Sequence, residues 1–145
     1  MKLALLIICL AFSMLSFSQS NADVEKAVRN YVDGFYYGDT NKIRESISPQ
    51  VIKHGYYTGK NNPVYTGDTM TYQQCIDYAA GVKKRGVSPK VEEFPKKIEV
   101  FDVLDKTASA KLTAWWGTDY LLLTKVNDKW MITHVLWQSP PPSKN

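Results

Sequence analysis

The chain has 145 residues, 44% hydrophobic and 22% charged, with two cysteines and a formal charge of +4. Cys75 is the only cysteine outside an N-terminal leader, which excludes an intrachain disulfide and leaves the domain to be held by packing. The positive residues gather at Lys83-Lys84-Arg85, Lys90 and Lys96-Lys97 in a connecting segment, without exposed aromatics interleaved along one face; this argues for solvated surface and against nucleic acid.

Residues 1–18 read as a signal peptide. Lys2 is a one-charge start, Leu3 to Leu15 is an apolar run, and small residues at Ser16 and Ser18 suit cleavage before Gln19. The run is short of the roughly 20 apolar residues that cross a bilayer, so no stable membrane insertion is expected after cleavage. Cys9 follows Ile8, where lipid attachment needs a small residue. The expected location is therefore exported, periplasmic or secreted. About 125 residues remain, one domain's worth, enough to bury a core without staples.

That domain spans 22–138. Asn21 or Asp23 can cap a helix whose buried stripe is Val24, Val28, Tyr31, Val32 and Phe35. Gly38 stops it, and Asp39 caps a second, short helix carrying Ile43 and Ile47 before Pro49. Val51 to Tyr57 reads as a strand with His54 near its middle, followed by a polar loop, Thr58 to Pro63. Thr71 caps a third helix that buries Tyr72, Cys75, Ile76, Ala79 and Val82 and ends at Gly86. Val91 to Val103 is strand-like, with Pro95 marking an edge, bulge or bend. Three long runs follow: Ala108 to Trp116, Asp119 to Val126 and Lys129 to Trp137. Residues 139–145, with Pro140-Pro-Pro142, are expected to form a disordered tail. There is no internal repeat.

Helices grouped first and strands grouped last predict an α+β fold with an antiparallel sheet. Leu121-Leu122-Leu123 and Trp115-Trp116 place large apolar side chains on both faces of that sheet. Three helices cover one face only. The other would be an apolar patch larger than monomers usually expose, so a homodimer through that face is expected.

With this order of elements the chain resembles the nuclear transport factor 2-like superfamily, and within it the secreted bacterial proteins labelled "putative lumazine-binding". The resemblance rests on Val28 to Asp39 (VRNYVDGFYYGD), Ile43, Ile47, Lys53-His-Gly-Tyr56, Asp119-Tyr120 and Lys129 to Trp137 (KWMITHVLW), and it covers roughly Asp23 to Gln138. It implies a cone-shaped, cystatin-like bent sheet wrapped around the N-terminal helices, a deep pocket at the open end, and dimers through the convex sheet face. The superfamily includes isomerases, dehydratases, polyketide cyclases and plain ligand-binding or accessory domains, and a fold alone does not choose among them.

The only histidines are His54 and His134. His134 alternates with Trp130, Ile132 and Leu136, so it is expected to share their face. A pocket histidine with a pKa near 6.5 suits a general base, whereas a buried histidine bonded to a backbone carbonyl or a tyrosine has no catalytic role. Two histidines without a His-x-x-x-His spacing do not make a metal site, even with Asp77 or Asp119 as a third ligand. No carboxylate is placed inside by strand parity, Asp39 is better explained as a cap, and there is no nucleophile elbow or phosphate loop. No cofactor is expected. Tyr57, Tyr72, Trp116, His134 and His54 are the candidate ligand-binding residues of an aromatic-lined pocket for a small apolar or aromatic molecule, and Trp130 is assigned to the core. The reading taken is a non-catalytic, small-molecule-binding or accessory domain. Its alternatives are a cofactor-free lyase or isomerase with His134 or His54 as base, and a structural module whose interior is filled by its own side chains.

Overall fold

Helix-forming residues run without a glycine or proline from Lys2 to Asp33, and nothing along that stretch stops a helix once it has begun. In the computed structural model of the protein, which describes residues 2–59 and 62–141, helix α1 accordingly extends from Lys2 to Tyr37. Asn21 and Asp23 lie inside it rather than capping its start. Its buried stripe is Val24, Ala27, Val28, Tyr31, Val32 and Phe35, three and four residues apart as one face of a helix requires. No helix among the described residues is long and apolar enough to cross a membrane.

Gly38 ends α1 at φ +67, where a Cβ would run into the backbone of Ala79 and Lys83 on the third helix. The Asp39 carboxylate then accepts from the backbone of Asn41 and Lys42 and starts α2 (Thr40–Ser46). Ile47 is not helical; it is the first residue of β1 (Ile47–Gly59). The expected polar loop is largely a hairpin, because β1 pairs antiparallel with β2 (Asn62–Thr69). Lys60 and Asn61 lie outside the described residues. Strand β2 lies at the sheet edge, so its sequence, NPVYTGDT, needs no apolar alternation.

Helix α3 (Tyr72–Arg85) opens with a reciprocal cap: Thr71 Oγ1 accepts from Gln74 N at 3.2 Å, and Gln74 Oε1 accepts from Thr71 N at 2.7 Å. It buries Cys75, Ile76 and Ala79. Val91 to Glu93 is a single 3₁₀ turn rather than strand, and β3 (Lys97–Val103) begins only after Pro95. Lys96, from the basic segment, is held by Asp33 of α1 at 3.1 Å. Strands β4 (Thr107–Ala114), β5 (Gly117–Val126) and β6 (Lys129–Gln138) complete the sheet. Asn127 and Asp128, both at positive φ, form the two-residue turn between the last two.

The sheet order is β2-β1-β6-β5-β4-β3, antiparallel throughout except for the parallel pair β1–β6. The helices pack on one face, and the core lies between them and that face. Strand β6 carries an irregularity: Leu122 pairs with His134 but Leu123 pairs with Ile132, leaving Thr133 as an extra residue. The bulge reverses the alternation. Trp130 and Ile132 point into the core before it, Val135 and Trp137 point inward after it, and His134 and Leu136 are turned outward. His134 therefore does not share the face of Trp130 and Ile132, against the expectation from strict alternation. At the end of β6, Ser139 is tied back by its N–H to the Tyr56 carbonyl and by its hydroxyl to Thr58 N. Residues 142–145 of the expected tail lie outside the described residues.

Trp137 lies beside Gly55 across the β1–β6 pair, and its indole occupies the space a Cβ on Gly55 would need. Gly55→Ala is expected to destabilise the domain by about 1–3 kcal/mol, the usual cost of forcing extra volume into a packed site. Urea denaturation measures this, and an unchanged midpoint would mean the indole has room to move.

Candidate functional site

Four side chains, from one helix, two strands and a turn, meet beneath the helix-covered face. Tyr31 comes from the buried stripe of α1, and Lys53 from the inward parity of β1. Asp119 comes from β5, on the same face as Leu121 and Leu123, and Trp116 from the two-residue tip joining β4 to β5. That tip is fixed by Tyr36, whose hydroxyl accepts from Trp115 N at 3.0 Å and donates to the Pro95 carbonyl at 2.6 Å. Trp116 then stands edge-on to Tyr31, Phe35 and Tyr36, with centroids 5.4 to 6.4 Å away.

The polar atoms form a chain. Lys53 Nζ donates to the Tyr31 hydroxyl at 2.7 Å, Tyr31 donates to Asp119 Oδ2 at 2.8 Å, and Trp116 Nε1 donates to Asp119 Oδ1 at 2.7 Å. Tyr31 and Asp119 are wholly buried and Lys53 nearly so. A lone ammonium in such a place would cost several kcal/mol. Here it is offset by the carboxylate one phenol away and by the rings of Phe35 and Trp137, whose centroids lie 5.7 and 5.6 Å from Nζ. Burial pushes the Lys53 ammonium below its ordinary 10.5, and the Asp119 charge opposes that. Burial also drives the Tyr31 phenol well above 10, helped by the charge of Asp119 and the hydrogen bond to it, so Tyr31 stays protonated. The Cys75 thiol, buried nearby, is pushed up to about 11 by burial, with Lys53 pulling it down, and is inert as a thiolate.

Lys53 also lines a cavity of about 240 Å³. Phe35, Trp116 and Trp137 are its inner walls, and Met70 with the partly exposed Tyr78 and Trp115 stands toward the mouth. An ammonium has three N–H donors, and among the described residues only the Tyr31 hydroxyl accepts from this one. Asp119 shows the cavity nothing, since its two oxygens are taken by Tyr31 and Trp116.

Of the residues singled out from sequence, Trp116 lines this cavity. Tyr57 stacks on the lining residue Trp137, with centroids 6.4 Å apart, but is not itself a lining residue. Tyr72 packs against the core at the start of α3. His54 lies on the opposite face of β1 from Lys53, edge-on to Tyr56 at 5.0 Å. His134 is exposed on the outer sheet face, with Nδ1 3.2 Å from Thr133 Oγ1. Asp77 is bonded to Gln73 on an exposed turn of α3. Sequence reasoning missed Lys53, Tyr31 and Asp119 as a unit and placed no carboxylate inside. The alternation Asp119-Leu121-Leu123 carried that signal, since a strand that buries two leucines buries the residue two before them.

Removing one member of a buried charge pair is costly because the other charge is left uncompensated. Asp119→Ala is expected to destabilise the fold by about 3–5 kcal/mol, whereas the paired replacement Lys53→Met with Asp119→Leu costs far less. Urea denaturation of the single and double variants measures the difference; equal losses would show that Lys53 and Asp119 are not coupled.

No curated protein matches the chain. Solved structures match it over most of its length at low identity. A nuclear transport factor 2-like protein of unknown function from Shewanella baltica is 19% identical, with 87% of this chain and 98% of that chain covered and a TM-score of 0.62. One from Silicibacter pomeroyi is 14% identical, with coverage of 86% and 98% and a TM-score of 0.62. A third, from Novosphingobium aromaticivorans and described as having a cystatin-like fold, is 10% identical, with coverage of 92% and 90% and a TM-score of 0.58. These establish the fold, a nuclear transport factor 2-like α+β domain with a mixed, curved six-stranded sheet. The family described as "Putative lumazine-binding" matches residues 19–138, and the chain belongs to it.

Proposed function

We propose that the protein is a binding domain for a small, flat, aromatic or heteroaromatic molecule bearing an oxygen acceptor, seated against Trp116 and Trp137 with that oxygen on Lys53 Nζ. The observation that carries this reading is Lys53 itself, a buried cation at the wall of an aromatic cavity with donors left over after Tyr31 is served. At about 240 Å³ the cavity is smaller than the roughly 300 to 1,000 Å³ of drug-sized sites, which favours one or two rings. A dioxopteridine such as lumazine, named in the family description, has this chemistry: a flat bicycle with carbonyl acceptors. The alternative, a lyase or isomerase with a histidine base, has less support, because neither His54 nor His134 is among the lining residues. Lumazine is expected to quench tryptophan fluorescence saturably. Lys53→Met should weaken binding by about ten- to a hundredfold, the equivalent of the 1.5–3 kcal/mol of a charged hydrogen bond. Absence of quenching, or equal affinity in Lys53→Met, rejects the reading.

We also propose that the protein is exported and acts as a homodimer. Export is supported by the pattern of Lys2 and Leu3 to Leu15 ahead of Ser16 and Ser18. Pairing is supported by the outer sheet face, where Ile52, Tyr56, Tyr120, Leu122 and Leu136 are largely exposed on the neighbouring strands β1, β6 and β5. Native mass spectrometry of the protein recovered from its cell envelope should give the mass of two copies that each lack residues 1–18, and Leu136→Glu should give one copy. A full-length monomer would defeat both proposals.

A further inference from the structure

We infer that Lys53 is a covalent capture site for aldehydes, its side-chain amine forming an imine with small aromatic aldehydes admitted to the cavity. The inference rests on the same cavity being a ligand site and adds a reaction to it. Nucleophilic lysines need a neutral amine, an electrophile held close, and a place for the proton to go. All three have a structural counterpart here. Lys53 Nζ is at the cavity wall, between the faces of Phe35 and Trp137. A flat aldehyde lying against Trp116 and Trp137 would bring its carbonyl to that nitrogen. The proton has a route, since Nζ donates to Tyr31 and Tyr31 donates to Asp119. As Nζ releases a proton to the Tyr31 oxygen, the phenol's own proton moves to Asp119, leaving a neutral amine and a neutral carboxylic acid. Burial of Lys53 disfavours its charged form and so lowers the cost of this shift. The lowered ammonium pKa of Lys53 acts in the same direction.

The step balances without a further reagent. The amine lone pair attacks the carbonyl carbon, a C–N bond forms, and the carbonyl π pair moves to oxygen. One N–H proton passes from the attacking nitrogen to that oxygen, and the proton held on Asp119 returns through Tyr31 to the nitrogen side. The oxygen leaves with two protons as water when the C=N bond forms, and the imine nitrogen keeps the third as an iminium paired with the restored Asp119 carboxylate. The aldehyde and the amine thus give an imine and one water, with no change in oxidation state. Tyr31 is the positioning residue of this scheme and Lys53 the group that bonds.

The test is reductive trapping of the purified protein with benzaldehyde at stoichiometric concentration and sodium cyanoborohydride, followed by intact-mass measurement and peptide mapping. A single benzyl adduct on Lys53 is expected, lost in Lys53→Met and slowed on the order of a hundredfold in Tyr31→Phe, the lower end of what positioned proton transfer contributes. Tyr31→Phe keeps the lysine and so tests the proton route separately. Mapping the unaltered protein gives the answer even if a variant fails to fold. Adducts scattered over the exposed lysines with Lys53 unmodified would overturn the inference. Saturable lumazine quenching together with an unmodified Lys53 would leave the binding reading standing and remove the covalent one. A single Lys53 adduct that lumazine neither blocks nor slows would do the reverse.

Discussion

The hydrogen-bonded chain from Lys53 through Tyr31 to Asp119 is the constraint around which the interior is arranged. A buried ammonium and a buried carboxylate each lose solvation worth several kcal/mol, and only close, oriented partners recover it. The Tyr31 hydroxyl is that partner for both, accepting at 2.7 Å and donating at 2.8 Å. One atom of α1 thereby fixes the helix against β1 and β5 at once. A slide of one helical turn, about 5.4 Å, would leave both charges stranded. Apolar packing of Val28, Val32 and Phe35 tolerates small shifts, but this contact does not, so it sets where the helix sits on the sheet.

A second local feature shapes both faces of the sheet. The extra residue at Thr133 changes the parity of β6 halfway along, so that Trp137 instead of Leu136 faces the helices. Trp137 becomes a wall of the cavity and a ring beneath Lys53, and Gly55 is where it is because the indole needs the space of a side chain. The same change turns His134 and Leu136 outward to join Ile52 and Leu122 on the exposed side. One inserted residue thus supplies the pocket wall and also the continuity of the outer apolar surface.

The fold was largely legible because its signals are local. The Asp39 and Thr71 caps, the break at Gly38, the helical stripe of Val24 to Phe35 and the apolar runs of β4 to β6 each follow from the chemistry of a few neighbouring residues. Strand β2 was not legible, since an edge hairpin with a polar sequence has no periodic signal. The site was legible only in its aromatics. Strict alternation places His134 on the face of Trp130 and Ile132, but the bulge that reverses it depends on pairing with β5, a contact between strands that the β6 sequence alone does not announce. Lys53 is not legible as an inward residue, because a lysine beside a histidine on a short strand has no local signal that buries it. Its inward parity is fixed by Gly55 and Trp137, and the chain of contacts links Tyr31 to Lys53 22 positions away and to Asp119 88 positions away.

The polar groups are also distributed asymmetrically, and under the proposed binding role that asymmetry sets which ligands would fit. Asp119 has both oxygens occupied and is shielded by Trp116, so it contributes charge balance without offering an acceptor to the cavity. Tyr31 is committed at both ends of its hydroxyl. Lys53 is the one charged residue among the lining side chains described, and what it presents is N–H. A ligand with only donors, or with a positive charge, would meet that ammonium without a carboxylate to compensate and would lose its own hydration on entry. A ligand with a carbonyl or carboxylate oxygen exchanges water for a charge-assisted hydrogen bond while its ring replaces solvent against tryptophan. On the proposed binding role, selectivity would arise from sequestering the carboxylate as much as from exposing the lysine, and both depend on the single phenol that separates them.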